Sequence, residues 1–139
     1  ELPLKFEARP PHVEGVIGLQ ESINFVESIG WKDIWDWDQR LLREATRLLT
    51  QVPELTIYGT SAHKAPIISF NIKGAHHSDV AQILDEMGIA VRAGHHCTQP
   101  LMDRFGITGS VRASFSVYNT LPEAQKLYEG VLKAKELLL

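Results

Sequence analysis

The spacing of apolar residues changes once along this chain, at Pro53, and that change restricts the fold more than any other feature. Before it, apolar residues recur every three or four positions. Val16, Leu19, Ile23 and Val26 predict a helix from Glu14 that Gly30 stops. Ile34, Trp37, Leu41, Ala45, Leu48 and Val52 predict a second, ended by Pro53. After it the runs are short and β-branched. Leu55–Tyr58 reads as a strand closed by Gly59, and Pro66 introduces another at Ile67–Ile72, closed by Gly74. Ser78 reads as the N-cap of a helix carrying Val80, Ile83, Leu84 and Met87, with Asp79 in its first turn and Gly88 as its stop. Residues 89–92 form a third strand candidate, 93–100 a loop and 101–105 a single helical turn. Over 111–117, Val111, Ala113, Phe115 and Val117 alternate with Arg112, Ser114 and Ser116, which predicts a fourth strand. Thr120 and Glu123 then match a capping box, with Pro122 tolerated in the first turn of a last helix through Leu127, Val131 and Leu132. Two helices followed by β-β-α-β-loop-β-α imply an α+β fold, a small antiparallel-type sheet backed by helices.

Composition narrows the function classes. At 139 residues, 44% hydrophobic and 22% charged, the chain has the make-up of one globular domain, which excludes disordered and collagen-like classes. The formal net charge is −3 and no basic run occurs, so no nucleic-acid partner is expected. No apolar run approaches the roughly 18 residues of a membrane span, and no signal-peptide pattern opens the chain, so no membrane partner is expected either. The single cysteine, Cys97, cannot form an internal disulfide, which suits a reducing, cytoplasmic location. A start at Glu1 followed by the Pro10-Pro11 lead-in reads as part of a longer protein.

The densest chemistry lies in VRAGHHCTQP, residues 91–100. Arg92, His95, His96 and Cys97 fall within six residues of a loop flanked by glycine and proline. The thiolate is the reactive form of cysteine, and positive charge on Arg92, His95 or His96 favours it. A lone intracellular cysteine is more often a small inert hydrophobe. Zinc held by His95, His96 and Cys97 together with His76 and His77 is a third reading, weakened because adjacent ligands rarely converge on one ion. Arg112, mid-strand and opposite the apolar face, is either a solvated arginine or a bidentate clamp for a carboxylate. Lys64 could form a Schiff base but reads as an exposed turn lysine. Trp31, Trp35 and Trp37, set among leucines, read as core or inter-domain packing.

Residues 91–120, VRAGHHCTQPLMDRFGITGSVRASFSVYNT, closely resemble the C-terminal part of Suf-type (group II) cysteine desulfurases of the class V aminotransferase family. The similarity extends back through FEARPPHVEGVIGL and forward into the last helix. It implies the C-terminal small domain of a fold-type I pyridoxal-phosphate enzyme, with 1–30 as the end of the large domain and connecting helix and 31–139 as the small domain. It further implies that Cys97 is the nucleophile that takes sulfur from L-cysteine as a persulfide, leaving L-alanine. Arg112 falls on the arginine that holds the substrate carboxylate, and Arg92, His95 and His96 fall on the loop that positions the nucleophile. Pyridoxal phosphate, a SufE-type or scaffold-type sulfur acceptor serving iron–sulfur cluster assembly, and a homodimeric parent are the implied cofactor, partner and state. The Schiff-base lysine and other cofactor contacts lie upstream in the family and are not in this chain; Lys64 does not align with that lysine. The chain alone is therefore expected to be inactive. Two alternatives stay open: a sulfur carrier that works without the cofactor, and a zinc protein. One departure stands out. Where the family reads Phe-Glu-Ala-Gly-Thr-Pro, with threonine reaching the cofactor phosphate of the partner subunit, this chain has Arg9 and Pro10, and proline carries neither a hydroxyl nor an N–H.

Overall fold

Helices α2, α3 and α5 bury their apolar stripes against one face of a four-stranded antiparallel sheet in the computed structural model, which describes residues 4–6 and 12–139. The elements run α1 (Val13–Ile29), α2 (Trp31–Leu49), β1 (Leu55–Tyr58), β2 (Ile67–Ile72), α3 (His77–Glu86), β3 (Arg92–Gly94), α4 (Gln99–Phe105), β4 (Ser110–Ser114) and α5 (Leu121–Leu138), after a short 3-10 turn at Leu4–Phe6. The chain divides into two compact units, 1–34 and 35–139. In the first, α1 has no buried residue, and Gly30, at φ +94°, ends it with an N–H donated to the Val26 carbonyl (3.0 Å). Arg9 and Pro10 lie outside the described residues.

The second unit realises the predicted α+β fold. Strand order is β1-β2-β4-β3, with every neighbouring pair antiparallel. The pleat sorts the side chains by parity. Ile68, Phe70 and Ile72 of β2 and Val111 and Ala113 of β4 face the helices and are buried. They meet Leu42, Ala45 and Leu49 of α2, Val80 and Leu84 of α3, and Ala124, Leu127, Val131 and Ala134 of α5. The capping box at Thr120 and Glu123 forms as predicted; Glu123 Oε2 accepts from the Thr120 N–H at 2.7 Å, and that bond holds its carboxyl below the usual range.

Four predicted details shift. The N-cap of α3 is His76 rather than Ser78: His76 is extended, and its imidazole Nδ1 accepts the Ser78 N–H (3.3 Å). β3 occupies Arg92–Gly94 rather than 89–92, because a cleft of ≈ 260 Å³ separates residues 88–91 from Ala113 and Phe115 and leaves no ladder there. α4 begins at Gln99, two residues before the predicted turn, and with β3 running to Gly94 the loop shortens to residues 95–98. β4 ends at Ser114 rather than at Val117. Its partner β2 starts after Pro66, which has no N–H to donate; the Pro66 carbonyl accepts from Phe115 (2.9 Å), and the ladder stops. Of the tryptophans, Trp37 is half-buried and donates from Nε1 to the Asn119 carbonyl (3.0 Å), whereas Trp31 and Trp35 are exposed and so are not core residues of this chain.

Phe70 has no exposed surface and sits in the central layer. Phe70→Ala is expected to lower stability by about 3–5 kcal/mol. Thr56→Ala, on the other face of the same sheet, is expected to change it by no more than about 1 kcal/mol. Urea titration of the two variants checks the pair, and equal losses would contradict this assignment of faces.

Candidate active site on the outward face of the sheet

The face turned away from the helices carries a row of polar side chains. Tyr58 pairs with Ser69, Ser69 with Arg112, and Arg112 with Arg92, so one residue from each strand lines up in the order β1, β2, β4, β3. The arginines are direct cross-strand neighbours. Like charges in that position repel, and among the described residues neither arginine makes an ion pair. Arg112 is half-buried, and its Nε is enclosed with no hydrogen-bond partner. Two cross-strand arginines without an acidic partner can receive an anion such as a carboxylate, which the planar guanidinium fork can hold with two hydrogen bonds.

Loop 95–98 lies beside this row. The His95 Nδ1 accepts the Cys97 N–H (3.1 Å), while the His95 carbonyl accepts both the Thr98 N–H (2.9 Å) and the Thr98 hydroxyl (2.8 Å). These bonds close a tight turn in which His96 (φ +55°) and Cys97 (φ +60°) are both left-handed. For residues other than glycine that conformation costs roughly 1–3 kcal/mol each, and such strain concentrates at functional sites. Cys97 is exposed, with the Arg92 Nη2 at 3.7 Å from its sulfur.

His96 turns back onto β4. Its Nε2 lies 3.0 Å from the Ser110 carbonyl and 3.0 Å from the Ser110 hydroxyl. A carbonyl oxygen can only accept, so Nε2 carries the proton and Nδ1 is bare, enclosed and without a partner. Burial holds the imidazole below its ordinary value of 6.5, against the Ser110 carbonyl bond, which raises it; the charges of Arg112, Arg92 and His95 act with burial. His77 is lowered too, first by burial, then by His76 and His96, with Asp79 opposing. Gly109 leaves room for the His77 ring and the Gly94 backbone. A Cβ there would sit 2.8 Å from the Gly94 backbone carbon and 2.5 Å from the His77 Nε2.

Between the row and α4 lies a cleft of ≈ 290 Å³, walled by Tyr58, Ser69, His96, Ser110, Arg112 and Phe105 among others. Of the residues singled out from the sequence, the fold brings His96 and Arg112 to this cleft and Arg92 to Cys97, while Cys97 and His95 stay outside its walls. Ser110, Ser69 and Tyr58 were not singled out. Ser110 and Arg112 share strand parity, and that signal could have found Ser110. Lys64 takes no part and is half-buried rather than exposed; its Nζ donates to the Gly59 carbonyl at 2.7 Å, and burial lowers its pKa. Among the described residues no group of three or more His, Cys, Asp or Glu is placed to hold a metal ion, so His76, His77, His95, His96 and Cys97 do not gather as the zinc reading requires. No helix among them is long and apolar enough to cross a membrane.

The chain belongs to the aminotransferase class-V family: the Aminotransferase class-V family model matches residues 1–127. Its named relatives are cysteine desulfurases. It is 43% identical over 136 residues to a cysteine desulfurase of Salmonella agona and 44% identical over 137 residues to that of Salmonella newport, covering 98% of this chain and 33% of each relative. The chain thus spans about a third of the length of the curated relatives it matches. Among solved structures, the apo cysteine desulfurase of Thermococcus onnurineus superposes with TM-score 0.87 at 42% identity, over 98% of this chain and 34% of that one. The S-sulfonic acid form of cysteine desulfurase CsdA from Escherichia coli superposes with TM-score 0.89 at 36% identity, over 99% and 34% respectively.

A histidine held below its ordinary pKa contributes stability that is complete above 6.5 and lost as pH falls through the folded value, since the unfolded chain takes up the proton more readily. The urea midpoint is therefore expected to drop on acidification below pH 6.5, and His96→Gln to flatten part of that drop. An identical pH dependence in wild type and variant would show that the ring is not buried as described.

Proposed function

We propose that this chain is the C-terminal part of a Suf-type (group II), pyridoxal-phosphate-dependent cysteine desulfurase that converts L-cysteine to L-alanine and carries the sulfur on Cys97. The observation that carries this reading is the juxtaposition of an unpaired Arg92–Arg112 pair with a single thiol whose sulfur lies 3.7 Å from Arg92. In this reading 1–30 closes the large domain and 31–139 is the small domain of a homodimeric, cytoplasmic transferase.

The residues present fit the substrate side of that reaction. Arg112, with its enclosed and unpartnered Nε, receives the substrate carboxylate, and Arg92 sets a positive charge 3.7 Å from the Cys97 sulfur. Bound pyridoxal phosphate would supply an electron sink for charge developing at the substrate α-carbon. The lysine that would hold it lies outside this chain, and Lys64 is tied to the Gly59 carbonyl. Cys97 attacks the substrate sulfur. An S–S bond forms on Cys97 as the substrate C–S bond breaks, and the carbon takes up a proton on the way to L-alanine. The exposure of Cys97 suits transfer onward to a SufE-type or scaffold acceptor serving iron–sulfur cluster assembly.

Peptide mass mapping of the full-length parent after exposure to L-cysteine is expected to show the Cys97 peptide heavier by one sulfur atom, only when pyridoxal phosphate is bound. Cys97→Ser is expected to keep the cofactor and lose desulfuration; retained alanine production would sink the assignment. Arg112→Ala removes a charge-assisted pair and is expected to weaken L-cysteine binding by roughly 2–5 kcal/mol. Unchanged affinity in that variant would refute the clamp.

A further inference from the structure

We propose that His96 is a positioning residue for Cys97, holding the sulfur beside Arg92 by donating its Nε2 proton to Ser110. The hydrogen bonds inside loop 95–98 run from Cys97 and Thr98 to His95; they set the shape of the turn but not its place on the sheet. Place is set by the contact of His96 with Ser110. Ser110 is a rigid anchor, 1% exposed and in register with Gly94 of β3. The Arg92 backbone is held independently, in register with Arg112. The ring therefore ties a left-handed, strained pair, His96 and Cys97, to the same ladder that carries the guanidinium, and in doing so sets the distance between sulfur and charge.

Only one ring nitrogen takes part, since Nδ1 has no partner. A glutamine amide can reach the Nε2 position, so His96→Gln keeps the tie. Asparagine tolerates the left-handed backbone but ends near Nδ1, so His96→Asn keeps the turn and loses the tie. This role deepens the proposed function and rests on it for its purpose.

Cys97 is the only cysteine, so alkylation of the 139-residue chain reports on it alone. The readout is the ratio of second-order rates with iodoacetate and iodoacetamide, which differ in charge, measured on variants shown by circular dichroism to be folded. A sulfur held beside Arg92 favours the anionic reagent. Arg92→Ala and His96→Asn are each expected to lower the ratio about five-fold, the effect of one unit charge at this range in water. His96→Gln is expected to keep it. A general loss of stability would shift the melting temperature without moving this ratio. A ratio unchanged in His96→Asn while it falls in Arg92→Ala would overturn the proposal, as would equal losses in the Asn and Gln variants or no change in Arg92→Ala. The reaction needs neither L-cysteine nor cofactor, so its failure is distinct from failure of the desulfurase reading.

Discussion

A β-strand sends successive side chains to opposite faces, and β4 is the strand on which that constraint falls hardest. Flanked by β2 and β3, it turns Val111 and Ala113 into the core and Ser110 and Arg112 to the other side. A slip of one residue would carry the arginine into the core and the valine out to the cleft. The burial of Phe70 opposite Val111 therefore does more than stabilise the sheet. It fixes which face presents the guanidinium groups, and through Ser110 it fixes where the cysteine loop can attach.

The second constraint is electrostatic. Setting Arg92 opposite Arg112 works against folding, and no acidic side chain among the described residues relieves it through an ion pair. The helices tolerate it because they lie on the far face, where the contacts are apolar. Stability and chemistry are thus divided between the two sides of one sheet. The apolar side holds the strands in register, and the polar side carries two cations with no acidic partner among the described residues.

Much of this was legible in the residues. Period alone separated the two helices from the strands, and the alternation from Val111 onward named both the core face and Arg112. The resemblance carried by residues 91–120 pointed to Cys97. What stayed hidden depended on partners distant in sequence. β4 stops at Ser114 because Pro66, almost fifty positions earlier, cannot donate, and nothing local to Phe115 signals that. The α3 cap eluded the usual rules because an imidazole does the work of a hydroxyl. The pairing of Arg92 with Arg112 needs strand order, which spacing does not encode. Ser110 falls one residue before the predicted fourth strand, and the His96 ring against it is what marks it out.

β3 is also an edge of the sheet, three residues long and hydrogen-bonded on one side only, to β4. Open edges invite strands from other molecules, and short length and charge are the usual protections. Arg92 supplies the charge, and Gly94, at φ +117°, bends the backbone away from regular extension where a longer template would continue. The residue placed beside the Cys97 sulfur therefore also protects the sheet against aggregation, so exchanging it for an apolar side chain would expose the chain to edge-to-edge association as well as remove the charge beside the thiol.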